Sequence, residues 1–216
     1  MSRKRTAVLI SGRGSNMTSL IAAAQDADFP AEIALVLSNR PDAAGLATAS
    51  AKGIATAAID HKLHPGREAF EAEMQKVLEV HRIDFICLAG FMRLLTASFV
   101  ERWTGRMINI HPAILPSYKG LHTHERALAD GVKLHGATVH YVVPEMDAGP
   151  IIVQAAVPVL DSDTPDTLGA RVLGQEHVIY PLALKLAASG RVRIVDGRVV
   201  GAGDTGASPA LVWPKG

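Results

Sequence analysis

The sequence predicts an α/β fold: a Rossmann-like, mostly parallel central sheet with helices on both faces and antiparallel strands in the C-terminal half. Three observations carry this. Short β-branched and apolar runs alternate with longer amphipathic ones through the first half of the chain, the pattern that forces right-handed crossovers and a helix-covered sheet. A glycine-rich turn, Ser11-Gly12-Arg13-Gly14-Ser15-Asn16, joins the first such run to the first amphipathic one. After Ile110 the texture changes, and strand-like runs follow one another as antiparallel pairing requires.

Taken in order, the first strand is read over Ala7 to Ile10 and the first helix from about Met17 to Ala24. Ile33 to Leu37 is a strand, Ala43 to Lys52 a helix, Thr56 to Ile59 a strand, Arg67 to His81 a longer helix and Asp84 to Ala89 a strand. Ile108 to Ile110 reads as a strand at the centre of the sheet. Thr138 to Val143 alternates like a half-exposed strand, and Pro150 to Leu160 reads as another. Asp161-Ser162-Asp163-Thr164 offers an N-cap for a long helix reaching about Ala188, with Gly190 placed to end it. A hairpin of Val192 to Val195 and Val199 to Val200 turns on Asp196-Gly197. The tail over 201–216, rich in Gly, Ala, Ser and Pro, reads as loosely ordered. No repeat or linker divides the sequence, so a single domain over residues 1–216 is expected.

With 48% hydrophobic and 20% charged residues, 216 residues suffice for one substantial core. The formal charge is only +1, so the broad basic field that holds a polyanion is missing and nucleic acid is not the expected partner. Cys87 is the single cysteine and lies in the apolar run Phe85-Ile86-Cys87-Leu88-Ala89, where a small buried hydrophobe fits; a reducing, cytoplasmic setting follows. Arg3-Lys4-Arg5 before Ala7-Val8-Leu9-Ile10 resembles the start of an export signal, but that apolar stretch stops at Ser11-Gly12-Arg13. No apolar run approaches a membrane span, so no membrane partner is expected.

In such sheets ligands sit beyond the carboxyl ends of the strands, which directs attention to the segments after Ile10, Leu88 and Ile110. At the turn Ser11 to Asn16, backbone N–H groups and the helix dipole favour a phosphate. A plain capped turn, with Ser15 or Asn16 as N-cap, reads equally well. The segment lacks the third glycine of a dinucleotide fingerprint and the Gly-Lys-Ser/Thr of a P-loop. Met17 and Asn39 also stand where a nicotinamide enzyme needs a glycine and an acidic residue.

Ile108-Asn109-Ile110-His111-Pro112 is the most informative stretch. Residues two apart on a strand point the same way, so Asn109 can offer an amide N–H to an oxyanion while His111 exchanges a proton. The alternative is an Asn and a His that tie down an irregular loop. Asp147, in Glu145-Met146-Asp147-Ala148-Gly149-Pro150, could accept a proton or support His111, though Asp before Gly-Pro is also ordinary turn chemistry. His122-Thr123-His124 puts two imidazoles close together without a third or fourth ligand, so no metal is expected. His61, His64, His81, His135, His140 and His177 stand in no pattern beyond surface or packing roles, save that His177 neighbours a candidate site.

Six segments in order resemble the phosphoribosylglycinamide formyltransferase family of folate-dependent formyltransferases. They are Ile10-Ser11-Gly12-Arg13-Gly14-Ser15-Asn16, Leu88-Ala89-Gly90-Phe91-Met92-Arg93, Asn109-Ile110-His111-Pro112, Gly120-Leu121-His122-Thr123-His124, Asp147-Ala148-Gly149-Pro150 and Gln175-Glu176-His177-Val178-Ile179-Tyr180-Pro181. The resemblance spans nearly the whole chain. It implies the formyltransferase variant of the fold, small-molecule substrates, and transfer of formyl from 10-formyltetrahydrofolate to the glycinamide amine in purine biosynthesis. No metal and no covalent enzyme intermediate are implied, and the expected assembly is a monomer or homodimer. Asn109 and protonated His111 would hold the oxyanion, and Asp147 would keep His111 charged and move a proton through a water. Gly14, Ser15 and Asn16 would cradle the substrate phosphate, and Gly174, Gln175 and Glu176 would contact its ribose or glycinamide part. Arg67, from the segment before its helix, would join Met92, Arg93, Leu94, Leu95, Asn109 and Val143, Pro144, Glu145, Met146 and Asp147 in holding the folate.

Ala113, Lys119 and Ala148 depart from the family pattern, where serine, proline and glycine are common, and put local loop geometry in question. Arg13 and Lys119 would add positive charge near the phosphate. Competing readings are a formyltetrahydrofolate deformylase-like hydrolase and a catalytically silent folate-binding module. The tRNA-formylating and deformylating relatives carry additional domains for which 216 residues leave no room.

Overall fold

The computed structural model describes residues 3–201 and 213. Nine strands and six α-helices are labelled here in chain order. Strands β1 (Lys4–Ile10), β2 (Ala31–Ser38), β3 (Ala55–Ala58), β4 (Phe85–Leu88), β5 (Met107–His111), β6 (Leu134–Tyr141) and β7 (Ile151–Pro158) form one sheet in the order β3-β2-β1-β4-β5-β6-β7. Pairing is parallel from β3 to β5 and antiparallel from β5 to β7. Strands β8 (Arg193–Val195) and β9 (Arg198–Val200) make the hairpin expected around Asp196-Gly197. Most of the tail expected over 201–216 lies outside the described residues, although Trp213 donates its Nε1–H to the Val159 carbonyl at 3.2 Å.

Alternation along β1 builds two cores. Val8 and Ile10 face a cluster with Met17, Leu20 and Ile21 of α1 (Ser15–Ala23), Ala49 of α2 (Ala44–Ser50), and Leu168, Val172, Tyr180 and Leu184 of α6 (Pro165–Ala188). Ala7 and Leu9 face the other cluster, with Phe70, Met74 and Leu78 of α3 (Arg67–Val80) and Phe99 and Val100 of α4 (Ala97–Arg102). Successive side chains of a strand point to opposite faces, so one sheet needs helices on both.

Four sequence expectations need correction. Thr138 to Val143 is not half-exposed: β6 is buried along nearly its whole length between β5 and β7. Its polar members Thr138 and His140 are tolerated because both are hydrogen-bonded. The N-cap of α1 is Gly14, in the left-handed region at φ 73°, and neither Ser15 nor Asn16 caps it by side chain. Arg67 stands in the first turn of α3 instead of in the segment before it. Finally, α4 and α5 (Thr123–Ala129) occupy stretches where no helix was expected.

Helix α6 begins where the acidic stretch predicts, with Thr164 as N-cap and its side chain accepting from Thr167 N–H. Arg171 grips Asp163 with both terminal nitrogens, at 2.7 and 2.8 Å, and Asp163 also accepts from the Leu160 N–H. The Tyr180 hydroxyl, fully buried, donates to the Leu88 carbonyl at 2.8 Å and so seats the helix on β4.

Two predictions follow from this packing. A Cβ at Gly136 would lie 1.8 Å from the Ala155 carbonyl oxygen across the β6–β7 pair. Gly136→Ala is therefore expected to destabilise the fold by roughly 2–4 kcal/mol in urea unfolding; a loss below about 1 kcal/mol would mean that β7 yields freely. The Arg171 guanidinium holds the Asp163 carboxyl well below its ordinary range. A folded-state value depressed in this way contributes stability above the unfolded value of about 4 that is lost as pH falls toward the folded one. Acidification below about pH 4 should therefore lower Tm less in Arg171→Met than in the parent protein.

Candidate active site

The carboxyl ends of β1, β4 and β5 open on the same edge of the sheet. After β1, the turn is held in shape by backbone bonds, Ser11 N–H donating to Gly90 O at 3.1 Å and Gly45 N–H to Gly12 O at 3.1 Å, and by the Ser11 hydroxyl, which donates to Asn39 Oδ1 and accepts the Met92 N–H at 2.8 Å. A Cβ at Gly45 would fall 2.4 Å from Ile10 Cδ1, so only glycine lets α2 approach so closely. Because Gly14 supplies no capping side chain, the first N–H groups of α1 remain available to an anion.

At β5, Asn109 and His111 project on one side as their spacing requires, and β6 places His140 opposite Asn109 and Thr138 opposite His111. His111 is buried and donates Nε2–H to the Tyr118 carbonyl at 2.9 Å. Its Nδ1 faces Asp147 Oδ2 at 3.4 Å. Both ring nitrogens thus face acceptors, and an imidazolium satisfies both where a neutral ring satisfies one. Asp147, at φ 50°, also accepts the Gly120 N–H on Oδ2 at 2.9 Å. The Asn109 amide nitrogen lies 3.3 Å from His140 Nε2, which is itself 3.8 Å from Asp147 Oδ1. The structure therefore brings together the three residues singled out at the reacting centre.

Two loops supply the backbone groups. In the loop after β5, Tyr118 is packed edge-on against His135 with ring centroids 5.7 Å apart, and the Arg126 guanidinium lies over the Tyr118 ring, 5.4 Å from its centroid. His135 is buried against His124, and burial first, then that neighbour, pushes it down to about 4. The Thr138 hydroxyl ties down the start of the same loop, donating to Ala113 O at 2.7 Å and accepting from Leu115 N–H at 3.0 Å. Lys119, expected near the phosphate, instead reaches Glu145 at 3.2 Å and joins this loop to the one that carries Asp147. Arg13 is exposed.

Asn16 donates its amide to Glu176 Oε2 at 2.6 Å, joining α1 to α6, while Asn16 Oδ1 is buried without a partner. Burial pushes the Glu176 carboxyl up despite that hydrogen bond. Gly174 and Gln175 are exposed on the same helix, and no heavy atom lies near where a Gly174 side chain would stand. Met92 and Leu94 are 64% and 63% exposed and Met146 is 51% exposed. Large apolar side chains left in water mark candidate contact surfaces for a ligand. Arg93, Pro144 and Glu145 are exposed around them, with Leu95 and Val143 half-buried. A cavity of about 290 Å³ adjoins Met92 and Arg93 and reaches Ser11, Asn39 and His61. Arg67 stands exposed and makes no hydrogen bond to the reacting cluster among the described residues.

His122 pairs with Glu125 and His124 with His135, so the two imidazoles separated by Thr123 do not converge. Among the described residues no group of three or more His, Cys, Asp or Glu is placed to hold a metal ion. Sequence reasoning missed His140 and the carbonyl and N–H groups of Tyr118 and Gly120. Backbone groups leave no residue-type signal, and His140 acquires its place only through the β5–β6 register.

Known proteins resemble this chain over most of its length. The formyl transferase family model matches residues 4–184. Phosphoribosylglycinamide formyltransferase of Escherichia coli K12 is 44% identical over 187 residues, covering 87% of this chain and 88% of that protein. The human trifunctional purine biosynthetic protein adenosine-3 is 50% identical over 192 residues, but this chain spans only 19% of its length. The crystal structure of phosphoribosylglycinamide formyltransferase from Brucella melitensis superposes with a TM-score of 0.84 at 52% identity, covering 90% of this chain and 100% of that one. The chain belongs to the formyl transferase family.

Proposed function

We propose that the chain, acting as one domain over residues 1–216, transfers the formyl group of 10-formyltetrahydrofolate to the amine of 5'-phosphoribosylglycinamide. The observation that carries this reading is the convergence of Asn109, His111 and Asp147 at the carboxyl edge of the sheet, in a chain similar nearly end to end to a bacterial enzyme of that name. That end-to-end match favours the transferase over a deformylase-like hydrolase, and a built proton-handling cluster speaks against a silent binding module.

The exposed apolar faces of Met92, Leu94 and Met146 suit the flat rings of a folate, and Arg93 with Arg67 suits its carboxylates. When bound, the folate supplies the formyl group. Asn109 directs an amide N–H at the oxygen on which charge develops as the amine attacks, where a preorganised donor is worth most. His111 stabilises the same charge, and its proton is retained by the Tyr118 carbonyl on one side and Asp147 on the other. Asp147, fixed through the Gly120 N–H, takes up the proton released by the attacking nitrogen through a water and passes it to the folate nitrogen as the bond from that nitrogen to the formyl carbon breaks, so that tetrahydrofolate leaves and the carboxylate is restored. The substrate phosphate fits the N–H groups of Gly14, Ser15 and Asn16. The unpaired Asn16 Oδ1 can only accept, so it suits a hydroxyl or amide of the substrate, alongside Glu176 with Gly174 and Gln175.

The direct test follows folate absorbance with both substrates and without the acceptor. Acceptor-dependent turnover is expected. Asn109→Ala should lower kcat roughly hundredfold to thousandfold, and His111→Ala and Asp147→Asn each by roughly hundredfold to ten-thousandfold. Turnover without acceptor would replace the reading with a hydrolase, and no turnover with a binding module. A second prediction concerns Glu176, whose raised folded-state value means that stability present at low pH is lost as pH rises through it. Glu176→Gln should therefore melt above the parent protein at pH 8 and near it at pH 4, while raising the KM for the phosphorylated substrate. A lower Tm at pH 8 would show that the ionised carboxylate is not the strained species.

A further inference from the structure

We propose that His140 is a positioning residue for Asn109: its ring decides which atom of the Asn109 carboxamide faces the reacting centre. The proposal rests on the transferase reading of Asn109 as an oxyanion donor. His140 Nδ1 lies 2.8 Å from the Tyr141 carbonyl, which can only accept, so Nδ1 carries a proton. In the neutral ring Nε2 is then a bare lone pair. At 3.3 Å from the Asn109 amide nitrogen it accepts one N–H and excludes the orientation that would turn Oδ1 toward it. The second Nδ2–H is left for the reacting centre.

Protonation of His140 would reverse this. An Nε2–H would repel the amide N–H groups, turn Oδ1 toward the ring, and compete for Asp147 Oδ1 at 3.8 Å. The surroundings hold the ring neutral. His140 is 2% exposed, and burial is the largest influence, lowering its proton affinity. His111 and Lys119 act in the same direction, whereas the Tyr141 carbonyl and Asp147 oppose them. Gly149 packs against this strand so closely that a Cβ there would lie 1.7 Å from the Tyr141 carbonyl oxygen and 3.3 Å from Nδ1. Two histidines thus flank one carboxylate with opposite duties. His111 faces acceptors on both sides and works with its proton; His140 faces one acceptor and one donor and works without a second proton.

Two measurements test this. In protein labelled with nitrogen-15 histidine, long-range proton–nitrogen spectra should show for His140 a neutral Nδ1–H ring at pH 7, assigned as the signal absent from His140→Gln. An Nε2–H tautomer or an imidazolium there would overturn the proposal, and this arm needs no turnover, so it stays decisive even if the transferase reading fails. In the kinetic arm, His140→Leu should lower kcat roughly tenfold to hundredfold with little change in either KM. His140→Gln places a non-titrating acceptor where Nε2 stands and should restore most of that loss. In an Asn109→Ala background, His140→Leu should have no further effect on kcat. Multiplying losses in the double variant, or a Gln variant as slow as the Leu variant, would make His140 a packing residue only.

Discussion

The site depends on the register of one strand pair. β5 is the last parallel strand of the sheet and the first to have an antiparallel neighbour, and its pairing with β6 sets Asn109 against His140 and His111 against Thr138. A slip of one residue would turn every one of these side chains to the opposite face. The register is protected from both sides. Ile108 and Ile110 lie in the core that α6 covers, and the Thr138 hydroxyl bonds the loop after β5 while Gln154 of β7 bonds both that hydroxyl and the Leu115 carbonyl. The pairing that places the polar groups is held by the burial of their apolar neighbours and by a hydroxyl whose hydrogen bonds are all satisfied.

From that register the rest of the chemistry is reached through backbone. Strand β5 ends at His111, and the chain must leave the sheet, so the next carbonyls and N–H groups are free of the ladder. Tyr118 and Gly120 use them on His111 and Asp147, with Tyr118 at φ 58° and Gly120 at φ 82°. A non-glycine residue in the left-handed region is held there at a cost, and the packing of Tyr118 between His135 and Arg126 meets it. His124 and His135 therefore contribute to the reacting centre at one remove, as the wall against which the loop is pressed. Lys119 and Glu145 then link this loop to the one bearing Asp147, so that the two sides of the cluster are tied at the surface as well as at depth.

Much of this was legible in the sequence, and the remainder was hidden for identifiable reasons. The alternating runs located every strand to within a few residues because hydrophobic periodicity is a property of the chain itself, and α6 was bounded by its Thr164 cap and Gly190. Helices α4 and α5, at six and seven residues, are too short to show a helical period. Helix α4 is fixed by Glu71 of α3, buried and bonded to the Thr96 N–H at 2.7 Å, a tertiary contact with no local trace. Gly14 takes the capping place that one reading gave to Ser15 or Asn16, and the Asn16 amide is engaged with Glu176. Asn109, His111 and Asp147 could be chosen on residue type and spacing; His140 could not, because strand alternation says which face it occupies and never what it meets there.

The same contrast explains how the site keeps its charges in order in a chain of net charge +1. Burial acts on every ionisable group at the carboxyl edge, and each is decided by what lies within hydrogen-bonding reach. Glu176 has one donor, from Asn16, and its carboxyl is pushed up. His135 is pushed down by burial first and by its neighbour His124 second. Asp147 accepts the Gly120 N–H on Oδ2 and has a histidine facing each oxygen. A single stabilised carboxylate can serve one imidazolium well but not two. The division of labour between His111 and His140 then follows from the carbonyl each ring nitrogen meets: Tyr118 takes the Nε2 proton of the first, leaving Nδ1 to Asp147, and Tyr141 takes the Nδ1 proton of the second, leaving Nε2 as an acceptor for Asn109. Two backbone carbonyls thereby assign opposite roles to two chemically identical side chains.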